Sequence, residues 1–105
     1  MKEINEFITL LKEDNFSKAA EYLELLWREY KNNDYTRMES FILKGLINGS
    51  FSLAMYQIGK KNSCELLWKK YEKYQPLINE LVSINTHKYK LAAKILEDKR
   101  NQLVR

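Results

Sequence analysis

The chain has 105 residues, 45% of them hydrophobic, with three glycines, one proline and one cysteine. That length suits one folded unit with a core of its own. The lone Cys64 excludes an intrachain disulfide and points to a reducing cytoplasm. The net charge of +4 is uneven: residues 1–59 hold seven Lys/Arg against nine Asp/Glu, and residues 60–105 hold eleven against five. A basic C-terminal half can attract nucleic acid or anionic lipid, but a lysine-rich solvated surface is the preferred reading.

The first residues, Met1 to Phe7, carry acids where a secretion signal needs an apolar run, so no signal peptide is expected. The longest uncharged run, Gly45 to Gly59, is shorter than the ~20 residues of a membrane span and is interrupted by polar side chains.

In chain order, Ile4, Phe7, Ile8 and Leu11 predict a first helix from Glu3 to Glu13. Asp14-Asn15 breaks it and offers a cap for the next. Phe16, Ala19, Ala20, Leu23, Leu26, Trp27 and Tyr30 predict a second helix from Phe16 to Lys31, whose small Ala19-Ala20 pair admits a close neighbour. Asn32-Asn33-Asp34 reads as a loop.

The third helix, about Arg37 to Ile58, is the centre of the chain. Thr36 and Glu39 form a capping-box pattern at its start, and Gly59 suits a C′ position at its end. Ile42, Leu43, Leu46, Ile47, Phe51, Leu53, Ala54 and Ile58 spread over more than half its circumference, which predicts burial on several sides. The remaining lane holds Lys44, Gly45, Asn48, Gly49 and Ser52. Glycine inside a helix costs about 1 kcal/mol relative to alanine, so Gly45 and Gly49, one turn apart, predict close approach of another backbone.

Asn62-Ser-Cys-Glu65 opens a fourth helix with a box-like cap. Cys64, Leu67, Trp68, Tyr71 and Tyr74 are its stripe, and Pro76 stops it. Pro76 also fits the first turn of a short fifth helix, Leu77 to Val82. Thr86 caps a sixth, from His87 to about Leu103, with Tyr89, Ala92, Ala93, Leu96 and Leu103 inward. No segment has strand periodicity. The expected fold is all-α: a single-domain bundle over residues 1–105, of five to six helices around a central glycine-containing apolar helix.

Two segments together resemble the domain of unknown function 309 family of small all-α proteins. Phe16, Ala19, Glu21, Leu23, Glu24 and Trp27 match that family's first motif. Gly45-Leu-Ile-Asn48, Ala54, Tyr56 and Asn62 follow in the order and spacing of its second. The resemblance covers roughly residues 10–75 and implies a bundle built round the Gly-Leu-Ile helix. It also implies a metal-dependent hydrolase chemistry resting on His and Glu positions. Here Ala20 and Gln57 stand at the family's histidine positions, so the resemblance implies a degraded metal site, with no metal, cofactor or catalytic residue expected. An enzyme is therefore the lesser expectation, and a non-enzymatic interaction or scaffold domain the greater.

Candidate residues follow from the lanes. Glu21 and Glu24 read as ligand or acid–base candidates, or as solvated charges with Glu24 paired to Arg28. The sharper expectation is an interhelical ion pair from Glu24 or Glu21 to Lys44, with Asn48 completing a polar cluster. Asn48, Ser52 and Gln57 either line a pocket or bond neighbouring backbone. Leu91 and Ile95, off the main stripe of the sixth helix, suggest a partner surface and a homodimer. Lys60, Lys61, Lys69, Lys70 and Lys73, interleaved with Trp68, Tyr71 and Tyr74, make a weak nucleic-acid patch. Its aromatic spacing equally fits core packing.

Overall fold

The computed structural model describes residues 2–104. Six helices follow in order: α1 (Lys2–Lys12), α2 (Phe16–Lys31), α3 (Arg37–Gln57), α4 (Lys61–Tyr74), α5 (Leu77–Glu80) and α6 (Thr86–Leu103). They form an all-α bundle with α3 at its centre, touched by α2, α4, α5 and α6, while α1 closes the core between α2 and α6. Ile4, Phe7, Leu11, Phe16, Leu23, Leu43, Leu46, Leu53, Tyr89 and Leu96 are fully enclosed.

α3 is central because its sequence leaves no wide polar face to give to water. Even its buried polar residues serve neighbouring helices. Ser50 Oγ donates to the Phe16 carbonyl at 2.6 Å, and Ser52 Oγ donates to the Cys64 carbonyl at 2.8 Å. Gly45 and Gly49 explain the closeness of α4. A Cβ on Gly45 would lie 2.9 Å from Tyr74 Cβ, and one on Gly49 would lie 3.0 Å from the Tyr71 ring and 3.1 Å from Leu96.

Both reversals next to the core are Schellman turns. After α3, Gly59 N–H bonds to the Tyr56 carbonyl and Lys60 N–H to the Met55 carbonyl, with Gly59 at φ +81°. After α1 the same pair of bonds runs from Asp14 to Leu11 and from Asn15 to Leu10. There the left-handed residue is Asp14, at φ +61°. This turn ends α1 at Lys12, one residue before the expected Glu13. Its strained backbone is held from two sides: Lys99 Nζ lies 2.6 Å from the Asp14 carboxylate, and Gln57 Nε2 donates to the Asp14 carbonyl at 3.2 Å.

The expected side-chain caps do not form. Asn15, Thr36 and Asn85 sit at N-cap positions without a capping bond, and α4 starts at Lys61, which places Asn62 inside the helix. Residues of the expected capping boxes bond elsewhere. Thr36 Oγ1 donates to the Tyr30 carbonyl at 2.8 Å, Glu65 pairs with Arg100 at 2.9 Å, and Glu39 turns toward the α5–α6 loop. α5 stops at Glu80 rather than Val82, because Leu81 is extended, at ψ 139°. α6 begins one residue early, at Thr86.

Candidate functional site

The polar cluster expected between α2 and α3 does not assemble. Lys44 Nζ sits 4.3 Å from the centroid of the Trp27 ring, and Lys31 Nζ sits at the same distance. Trp27 occupies the position between the two helices where the ion pair was expected, and a cation over its indole face needs no carboxylate. Glu24 pairs within its own helix, 3.6 Å from Arg28, a surface contact worth about 0.3–0.5 kcal/mol. Glu21 is exposed. Asn48 is 7% exposed, and its Nδ2 has no hydrogen-bond partner. Ser52 and Gln57 bond backbone on α4 and on the α1–α2 turn and line no shared pocket with it. Ala20, at one family histidine position, is wholly buried. No three metal-ligating side chains converge among the described residues.

Leu91 is half-exposed, and Ile95, partly buried, packs against the core. Lys60, Lys61, Lys69, Lys70 and Lys73 all face water. The rings beside them are occupied. Trp68 and Tyr71 are buried against each other at 4.5 Å, Arg100 lies 4.7 Å over Trp68, and Tyr71 OH donates to Glu97 at 2.6 Å. Burial and then that carboxylate raise the Tyr71 phenol well above its ordinary value. The surface above them is an open cleft of 390 Å³ between α4 and α6, in which Tyr71 is paired with Glu97 and Arg100 with Glu65, while Glu72, Gln75 and Asn101 complete its polar lining.

The most organised polar group in the molecule lies elsewhere, at the end where α2 turns into α3 and α5 into α6. The half-buried Glu39, in the first turn of α3, accepts at one oxygen from three donors. They are Ser83 Oγ, Tyr89 OH at 2.6 Å and Asn85 Nδ2 at 3.4 Å. The loop closes on itself as well: Ser83 N–H donates to Thr86 Oγ1, and Asn85 N–H to Ser83 Oγ, each at 3.1 Å. Burial raises the phenols of Tyr89 and Tyr30, followed at Tyr89 by its hydrogen bond to Glu39 and at Tyr30 by the Glu39 charge. The sequence signal for this hub was present but read locally: Glu39 as a capping box, and Ser83 to Thr86 as a break.

The hub fixes what the same loops show to solvent. From Leu81 to Asn85, alternate residues point inward and outward. Leu81 packs on the core, Ser83 and Asn85 reach Glu39, and Val82 and Ile84 stand in water, Val82 entirely and Ile84 at 94%. On the facing loop and first turn, Tyr35 is 99% exposed and Met38 55%. Four large apolar side chains are thus exposed on the segments that Glu39 ties together.

No protein-family model, curated protein or solved structure matches the chain. Among the described residues no helix is long and apolar enough to cross a membrane.

Proposed function

We propose that the chain is a non-enzymatic protein-interaction module that docks through the Tyr35, Met38, Val82 and Ile84 end. One observation carries this reading: the β-branched Val82 and Ile84 stand almost fully exposed on a loop that is hydrogen-bonded into place. Exposed apolar patches mark partner sites when they are grouped rather than scattered. A platform held by Glu39 spares the binding partner the cost of ordering a loop. The proposal includes a cytoplasmic location, since the single cysteine, Cys64, is buried and free.

A photo-crosslinking residue placed at Val82 or Ile84 in growing cells tests it. Discrete crosslinked species are expected from both positions and not from Glu72, an exposed position on α4. Equal yields at all three would overturn the reading.

A further inference from the structure

We propose that α2, α3 and α4 together present a further binding face, and that its ligand is single-stranded nucleic acid. Contacts trace this face from α2 across α3 to α4. Lys31 and Lys44 each hold an ammonium 4.3 Å from the centroid of the Trp27 ring. Phe41, one turn before Lys44 on α3, stacks on Tyr74 of α4 at 5.8 Å, with 23° between the rings. Lys73 Nζ lies 5.3 Å from the Tyr74 centroid, and Lys70 stands one turn before Tyr74 on the same side of α4. The rings keep access to solvent: Phe41 is 37% exposed, and Trp27 and Tyr74 are partly buried.

The partners of these cations set the face apart from a plain lysine surface. None of Lys31, Lys44, Lys70 and Lys73 makes an ion pair among the described residues. An aromatic ring attracts an ammonium through its quadrupole, which positions the cation without cancelling its charge. The carboxylates of the three helices are placed elsewhere. Glu24 pairs with Arg28, and Glu65 with Arg100. Glu29, Glu39 and Glu72 each stand two residues from Trp27, Phe41 or Tyr74, about 200° round their helices. Glu21, exposed on α2, is about 120° from Trp27. Uncancelled cations select a polyanion, and rings between them select one that carries bases. Phosphates draw the lysines off the rings, and bases extend the Phe41–Tyr74 stack. An anionic bilayer is the poorer match. Anchoring there needs apolar side chains that stand free to insert, whereas Trp27 and Tyr74 are partly buried and have lysines over them.

Fluorescence anisotropy of a labelled oligodeoxythymidylate, titrated with the chain at rising salt, is the test. Binding should be measurable at about 50 mM salt. It should fall with a log–log slope of roughly −2 to −3, as about four phosphate contacts give on a single strand. Lys44→Gln/Lys73→Gln should weaken binding by about tenfold and halve that slope, with helical circular dichroism unchanged. Lys31→Gln/Lys70→Gln should do the same and guards against a local effect of the first pair. Lys60→Gln/Lys61→Gln removes equal charge from the start of α4, outside the face, and should weaken binding by less than about threefold. Phe41→Ala removes a ring and no charge, so it should weaken binding with the slope kept. No binding at about 50 mM salt, equal losses from all three lysine pairs, or binding to phosphatidylserine vesicles in place of the oligonucleotide would overturn the assignment.

Discussion

Glu39 and Asn48 lie on one helix and carry opposite consequences. Glu39 accepts three hydrogen bonds at one oxygen, from Ser83, Asn85 and Tyr89. Removing it strands donors that the fold has drawn away from water, which costs more than the bonds themselves contribute. Glu39→Ala should therefore destabilise by about 2–3 kcal/mol, read as a lower urea midpoint. It should also speed hydrogen exchange in the 81–85 loop. Asn48 places an unbonded Nδ2 in a buried setting. A leucine of similar shape removes that desolvation penalty, so Asn48→Leu should be neutral or stabilising by about 1 kcal/mol. A marked loss of stability there would mean that the amide has a partner. Neither result is legible in the sequence. The spacing Thr36-Arg-Met-Glu39 is the same whether Glu39 caps its own helix or reaches a loop more than forty residues away. Which it does depends on α5 and α6 arriving beside it.

At the scale of the element, the helices were legible almost to the residue, because each has an apolar stripe of helical period with a break on either side. α2 matches the expected bounds, and α3 ends one residue short, at Gln57. The misread ends share a cause. Asn15, Thr36, Asn62 and Thr86 have capping chemistry, yet none forms the expected cap: Thr36 and Thr86 bond the turns that precede their helices instead. The glycine lane was read correctly for a reason that survives folding: two unfavourable residues one turn apart demand a compensating contact. Gly45→Ala and Gly49→Ala should each destabilise by about 1–3 kcal/mol despite alanine's better helix propensity. Both added methyls meet α4 at 3.0 Å or less. Thermal melts of the two variants check this. At the α2–α3 seam, Lys44→Met keeps the aliphatic stem but loses the cation over Trp27, and should cost about 0.5–1 kcal/mol.

For the whole molecule, three buried or half-buried phenols set the alkaline limit. Tyr71 and Tyr89 are raised far above the ordinary tyrosine value near 10, and Tyr30 is raised as well. Burial is the first cause in each. In the unfolded chain these phenols ionise near pH 10, while the folded chain keeps them protonated. Above that pH the unfolded state holds fewer protons than the native one, so stability falls as pH rises. The stabilising contribution is complete below pH 10 and is lost progressively above it. Tyrosinate absorbance from Tyr30, Tyr71 and Tyr89 should therefore rise only together with the loss of circular dichroism. A single smooth titration with the helices intact would contradict this.

The sequence by itself determined the all-α fold, the order and nearly the bounds of the helices, and the central place of α3. Those follow from the period of apolar residues and from which helix lacks a polar face, and both are local properties of the chain. Only the tertiary structure decided where the polar side chains go. Lys44 chose an indole over a carboxylate, and Trp68 and Tyr71 closed beneath Arg100. It also decided that Val82, expected at the end of a helix, stands in water beside Ile84. A hydrogen bond is short and directional, so its partner is set by which distant backbone arrives within 3 Å, and no spacing along the chain records that.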